Sequence, residues 1–484
     1  MLGGLRGTAS RLALAAVFCV MGAAVFLQKP AKAADLGGDC CADLEERVAE
    51  LEATTARKGN KKVTVILYGK VNKAVEFWDD GAEKNTYVVD NYNESSRFGF
   101  KGSAKISGDW SAGYRLEVEI RNAASSKLNQ IDDDNAADPL RSLNVRQSNM
   151  YLANKAWGEL RWGLTNTPKF DSTKDTMEFI STEPGEGGGL SDTMVSDDRM
   201  NQSFFLRPKG FNNAKGLSKL RWSDIARCYS GADDFNCSTR RNGVAYWSPD
   251  WYGFTASAGW FEDDIWGAAL RYRKAWGETF KVGASIGYEK ILDERLQNGG
   301  GGLAGFRRDI DEWSGSASIK HLPTGLFAFT AFSFSDNNDS NTQHAGIFTG
   351  TSDPQMSAWD ARLGIQRKMP WFGVDKLGET SFFVGFINVQ DGIGAGTLLG
   401  RIPANRLITA GTFANVPINT EITGSNVDEW YLGFDQGLES ASMHLYAVFQ
   451  HFTPDVSLVD AAFNHVPAPL DDFNVFYTGA RLYF

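Results

Sequence analysis

Few residues in this sequence are placed for covalent or metal chemistry. The 484-residue chain has five histidines, scattered, with no pair at the spacing a metal site needs. Asp132-Asp133-Asp134-Asn135 offers the oxygen donors of a Ca²⁺ loop but reads as a solvated loop. Ser, His and Asp are inevitable at this length, and none sits in a local nucleophile motif. The glycine run Gly299 to Gly302 lacks the strand-to-helix context of a phosphate cradle. No catalytic residue, metal or cofactor is expected. What remains is electrostatic: Lys70, Arg97, Lys101, Arg115, Arg146, Arg161 and Arg240, each on or beside a strand-like segment.

Those segments share a period of two. Trp110, Ala112, Tyr114, Leu116, Val118 and Ile120 alternate with Ser111, Gly113, Arg115, Glu117, Glu119 and Arg121. One face is wholly apolar and the other carries four charges. The pattern recurs at 280–289, 359–366 and 441–449, and residues 473–484 are strand-like to the end. Repeated strands of about ten residues, apolar outside and polar inside, predict a transmembrane β-barrel. Only closure satisfies every backbone group in lipid without spanning helices. Short turns at Gly108, Trp157-Gly158, Pro249-Asp250, Trp276-Gly277, Pro323 to Gly325 and Gln436-Gly437 alternate with long polar stretches. The reading is an all-β, antiparallel barrel of 16 strands, or 18 if the pieces at 203–207 and 216–223 also span.

The N-terminus points to export. Arg6 and Arg11 precede the apolar run Leu12 to Leu27, and Ala31-Lys32-Ala33 supplies a small-x-small cleavage site, so 1–33 reads as a signal peptide. Residues 34–60 read as a short periplasmic helix, with Leu44, Val48 and Leu51 on one stripe. That is two turns of a coiled-coil seam, too short to hold together alone. Residues 61–484 are the barrel. Export implies an oxidising compartment. Cys228 and Cys237 flank a short polar segment and could close a loop disulfide, whereas Cys40 and Cys41 are vicinal and poorly placed to bridge each other. Taking Arg6, Arg11, Lys29 and Lys32 from 49 basic residues leaves 45 against 59 acidic ones, a net charge of −14. That argues against a nucleic-acid partner.

Several stretches, in order, resemble the general trimeric outer-membrane porins, and the alphaproteobacterial porins most. They are Leu67 to Lys70, Ser96 to Gly102, Trp110 to Tyr114, Val145 to Gln147, Gly158 to Gly163, Arg240 to Phe254 and the terminal Phe484. The resemblance implies a water-filled channel for passive diffusion of ions and small hydrophilic solutes. It implies a homotrimer in outer-membrane lipid, and a C-terminal Phe484 read by the barrel-assembly machinery. A long loop at 166–241 would fold into the lumen, bringing Glu183, Glu186 and Asp192 as acids. Opposite it would stand a basic cluster of Lys70, Arg97, Arg146 and Arg240, with Lys101, Arg115 and Arg161 lining the pore further on. For these arginines the competing reading is a structural ion pair with a neighbour such as Glu117 or Glu119.

If Arg146 faces the lumen, unbroken alternation turns Gln147, Asn149 and Tyr151 outward. Polar groups there suggest burial against another subunit, with strands one to five at the trimer centre. Two other classes stay in view: a substrate-selective channel in which the 14 tryptophans build a stacking slide for sugars, and an outer-membrane enzyme. The cysteine reading has a direct test. Intact-mass measurement on protein taken from outer membranes is expected to show Cys228 and Cys237 joined, and two free thiols there would refute the pairing.

Overall fold

The computed structural model describes residues 62–120, 122–132, 143–170, 172–173, 175–181, 203–209, 220–226, 240–262, 264–295, 306–337, 355–369, 377–392, 402–403, 421–459 and 464–484. The leader, the 34–60 segment, Glu183, Glu186, Asp192 and both cysteine pairs lie outside these.

Sixteen strands close into one antiparallel barrel. In chain order they are β1 (Ile66–Asp79), β2 (Arg97–Ser107), β3 (Trp110–Ile120), β4 (Leu143–Asn154), β5 (Gly158–Asn166), β6 (Arg240–Trp247), β7 (Phe254–Phe261) and β8 (Ile265–Trp276). Then follow β9 (Phe280–Arg295), β10 (Phe306–His321), β11 (Leu326–Asn337), β12 (Gln355–Lys368), β13 (Glu379–Gln390), β14 (Glu421–Leu438), β15 (Met443–Val459) and β16 (Phe473–Tyr483). Each strand pairs with its neighbour in sequence. The seam joins β16 to β1, from Lys70↔Tyr483 to Asp79↔Asn474. Gly69 and Phe484 exchange backbone hydrogen bonds of 2.8 and 3.1 Å at its end, so no sheet edge is left there. The pieces at 203–209 and 220–226 pair with each other by an isolated Phe205↔Arg221 bridge. They add no staves, which settles the count at 16.

The alternation sorts the side chains as a barrel in lipid demands. Trp260, Leu270, Ile286, Ile319, Phe332, Leu363 and Leu432 stand exposed on the outer wall. Ser314, Ser316 and Ser318 of β10, with Ser333 and Ser335 of β11, are buried on the inner one. Two local departures matter. The strand that follows β1 is broken in two. Lys84–Asp90 pairs with the far half of β1 and β2 with its near half, and a 3₁₀ turn, Tyr92–Glu94, lies between them. Asn91 starts that turn by accepting a hydrogen bond from the Asn93 N–H. The sequence reading missed Lys84–Asp90, whose Asn85 and Thr86 dilute the apolar signal.

The second departure is a β-bulge in β4. Glu117 pairs with Gln147 and Val118 with Val145, leaving Arg146 as the extra residue. One inserted residue reverses the parity beyond it. Gln147 and Asn149 are therefore buried on the inner side, where Asn149 donates to Gln147 at 3.2 Å, and Ser148 and Met150 face outward instead. The outward placement of Gln147, Asn149 and Tyr151 is thus corrected, and the argument for a subunit contact built on it falls.

Gly69 shows how tightly the seam is fitted, since a methyl group there would lie 2.5 Å from the Phe484 ring. Gly69→Val is expected to cost about 1–3 kcal/mol through this overlap. The fraction migrating as a compact barrel in unheated gels should fall, and an unchanged fraction would contradict the seam geometry.

Candidate functional site: the charged lumen and its loop

The inner wall from β1 to β4 carries a continuous ladder of ion pairs. Glu117 on β3 is its hub. Its carboxylate accepts from Tyr68 at 2.9 Å, Arg115 at 3.0 Å and Arg146 at 2.9 Å, with Arg97 at 3.8 Å. Glu119 accepts from Arg146 at 2.6 Å and from Ser95 at 2.8 Å. Glu94, set into the lumen by the 3₁₀ turn, holds Lys70 at 2.8 Å and also binds Arg97. The bulge has a consequence here, because it lets Arg146 reach two glutamates of the adjacent strand at once. Lys70, Arg97 and Arg146 are therefore brought together on one wall. Among the described residues their counter-charges are the wall glutamates Glu94, Glu117 and Glu119, of which the sequence offered the last two as ion-pair partners.

The other basic candidates fall elsewhere. Lys101 and Arg115 lie over the Tyr68 ring at 5.1 and 5.4 Å, beside the ladder. Arg161 stacks on Trp247 at 4.4 Å and binds Glu159, nearer the short turns. Arg240 is set apart, with its guanidinium 4.4 Å over Phe170 at the root of the long loop. Its neighbour Arg241 is paired with the buried Thr165, so Arg241 rather than Arg240 keeps the inward parity of β6.

The described parts of the long loop between β5 and β6 lie inside the barrel, on two walls and by different physics. Its first arm, with the helix α1 (Asp175–Ser181), lies on β8 to β12 and is held by polar groups. Lys169 and Glu312, both fully buried, pair at 2.8 Å. Arg271 holds the Phe170 carbonyl at 3.3 Å, and Arg273 pairs with Asp175. The Thr176 hydroxyl donates to Ser316 at 2.9 Å and the Thr176 carbonyl accepts from Ser318 at 2.8 Å. Gln366 holds the Ser181 carbonyl at 2.8 Å. Gly283 and Gly287 make room: a methyl group on either would meet Thr176 or Lys169 at 2.9 Å.

The return arm, with α2 (Trp222–Ile225), is held by apolar packing against β1, β15 and β16. Phe204 meets Trp78 at 5.2 Å and Phe473 at 5.0 Å, and Trp222 meets Phe452 at 5.3 Å, all of them buried. One buried ion pair, Arg207 with Asp80 at 2.6 Å, closes this plug.

Two features escaped the sequence reading. Glu178 is exposed on the face of α1 turned from the wall, and so is the described acid that this arm presents to the lumen. The polar track of β9 and β10 also went unread, though its signal was present: serines at 314, 316 and 318 beside glycines at 283 and 287. Among the described residues no group of His, Cys, Asp and Glu is arranged to hold a metal ion.

A closed barrel with an apolar outer wall, a charged inner wall and a loop folded within is a diffusion channel of the outer membrane. Residues 48–455 match the family model for the Gram-negative porins, and the chain belongs to that family. Among solved structures it is similar to the anion-selective porin of Comamonas acidovorans, at 18% identity over 87% of this chain and 100% of that one, with a TM-score of 0.48. OprB of Pseudomonas putida at high pH is 12% identical over 91% and 97%, with a TM-score of 0.49. OmpF of Salmonella typhi in complex with daunomycin is 12% identical over 88% and 99%, with a TM-score of 0.44. A search of curated proteins gives no match.

The buried Lys169–Glu312 pair yields a quantitative expectation. Lys169→Met leaves Glu312 buried without its partner and should destabilise the loop arm by about 3–5 kcal/mol. The thermal transition should drop, and Lys169→Met combined with Glu312→Leu should recover most of the loss. A single variant as stable as the parent would show that the pair does not hold the arm.

Proposed function

We propose that this porin passes small hydrophilic solutes without saturable binding, through a gap between the ion-pair ladder of β1 to β4 and the loop at 166–241. The observation that carries this reading is the ladder itself. Lys70, Arg97 and Arg146 are held on one inner wall by Glu94, Glu117 and Glu119, facing a lumen whose other walls are occupied by the loop arms. Charged walls order water across a gap and disfavour apolar solutes, because such solutes lose more on leaving bulk water. Glu183, Glu186 and Asp192 would add acids from the loop side, with Glu178.

The tryptophans weigh against a sugar-stacking slide. Trp110, Trp162, Trp260, Trp266, Trp313, Trp359 and Trp430 are exposed on strands with outward parity, Trp78 and Trp222 are buried in the apolar plug, and Trp247 carries Arg161 on its face.

The working unit in this proposal is a homotrimer, with signal peptide 1–33 removed, residues 34–60 as a periplasmic segment and Phe484 presented to the assembly machinery. Support for the contact surface comes from small or polar outward residues on β2 to β4. Ala104 pairs with Ala112, and Ser148 stands between Leu116 and Leu164, where lipid would favour larger apolar groups.

Liposome swelling with graded sugars tests the function: rates should fall steeply with solute size and stay linear with concentration. Replacing Arg97 and Arg146 together by Gln should raise the rate for the larger sugars and the single-channel conductance. Lys70→Gln should act in the same direction if the double variant assembles poorly. Saturating rates, or variants indistinguishable from the parent, would overturn the proposal.

A further inference from the structure

Charge in this lumen is layered by depth. Two acids of the ladder lie beneath its cations: Glu117 and Glu119 are each 2% exposed, against 9% for Arg146 and 39% for Arg115, whereas Glu94 lies level with Lys70 and Arg97. Towards the short-turn end the layering continues. Lys101 and Lys105 are exposed, and Lys105 lines a cavity of about 720 Å³ together with Lys155, Arg161, Trp247, Asp109 and Glu159. Glu159 is taken by Arg161, whose guanidinium itself lies over the Trp247 ring. Among the described residues no carboxylate lies within ion-pair distance of Lys101, Lys105 or Lys155, and Asp109 shares the cavity with two of these ammonium groups, Lys105 and Lys155.

We infer that this periplasmic vestibule gathers small anions and makes the channel prefer them over cations of the same size, a conclusion that rests on the diffusion-channel reading above. The chain as a whole is acidic, with a formal net charge of −10. That does not decide the matter. Short turns mark the periplasmic end of such a barrel, and the long polar loops lie at the other. At ~3.3 Å per residue, strands such as β2 and β3 separate the two ends by roughly 30 Å. The Debye length is ~10 Å at 0.1 M salt, so a solute in the vestibule senses the local ammonium and guanidinium heads and little of the distant loops. Buried carboxylates act only at short range, because each is already covered by its own cation. Exposed cations in a cleft with low-dielectric walls focus the field and raise the local concentration of counter-ions. The ligand chemistry is that of a small, strongly hydrated anion: chloride, a short carboxylate, or inorganic phosphate.

The test uses the full-length protein in planar bilayers under a KCl gradient. The reversal potential should report chloride permeating better than potassium. The preference should be strongest at low salt and shrink towards 1 M, where the Debye length falls to ~3 Å. Replacing Lys101, Lys105 and Lys155 together by Gln touches no ion pair of the ladder and should leave an open channel whose chloride preference drops several-fold. Inorganic phosphate added on the short-turn side should reduce the chloride current of the parent more than that of the triple variant. Potassium preference in the parent would overturn the inference, as would a triple variant with unaltered reversal potential and phosphate response. A parent protein that conducts nothing would count against the diffusion-channel reading instead.

Discussion

In lipid a backbone N–H or C=O has no water to turn to, and each one left unpaired costs several kcal/mol. Every other property of this molecule is arranged around that constraint. It requires each strand to have a partner on both sides, so β16 must return to β1 and Phe484 must reach Gly69. It fixes the alternation, since a strand paired on both edges can only differ between its two faces. It also forces polar residues inward, and a wall of inward charges then needs its own internal settlement. Glu117 illustrates the outcome. A carboxylate so deeply buried is tolerable because donors converge on it from four strands, its own included.

The period of two made the staves legible. All sixteen could be located because lipid enforces the pattern over the whole length of each strand, without the tertiary exceptions found in soluble sheets. Parity failed with the widest effect at the bulge of Arg146 and Gln147. A bulge inserts one residue without changing composition, so nothing in Asn144-Val145-Arg146-Gln147 announces it. The cost of missing it was disproportionate, because every residue beyond it in β4 changed sides. The ladder was half legible. Its arginines could be named, and Glu117 and Glu119 stood close enough in sequence to be suspected as partners. Glu94 could not be assigned, because its role depends on a 3₁₀ turn interrupting a strand. Arg240 and Arg241 are adjacent, and only the register with Thr165 distinguishes them.

The loop shows two ways of holding an irregular segment inside a polar cavity. On β8 to β12 several backbone carbonyls of the first arm meet a fixed donor, such as Arg271, Ser318 or Gln366. These contacts are directional and define where the arm sits to within a hydrogen-bond length. On β1, β15 and β16 the grip is a small apolar core, in which Phe204, Trp222 and Phe473 exclude water from one corner of an otherwise wet interior. Such packing is less directional and depends on area.

The second grip has a consequence for the order of assembly. Trp78 belongs to the first stave, Phe473 to the last, and Phe204 and Trp222 to a loop between the fifth and sixth. This core has no meaning for a partly assembled chain, because two of its walls do not face each other until the sheet has curled round completely. Chain ends almost four hundred residues apart must meet before these rings can stack. Seating the return arm and joining the seam are thus a single event in the chain's history. The molecule tells a finished barrel from an unfinished one by whether an aromatic core, enclosed in its own interior, has come into existence.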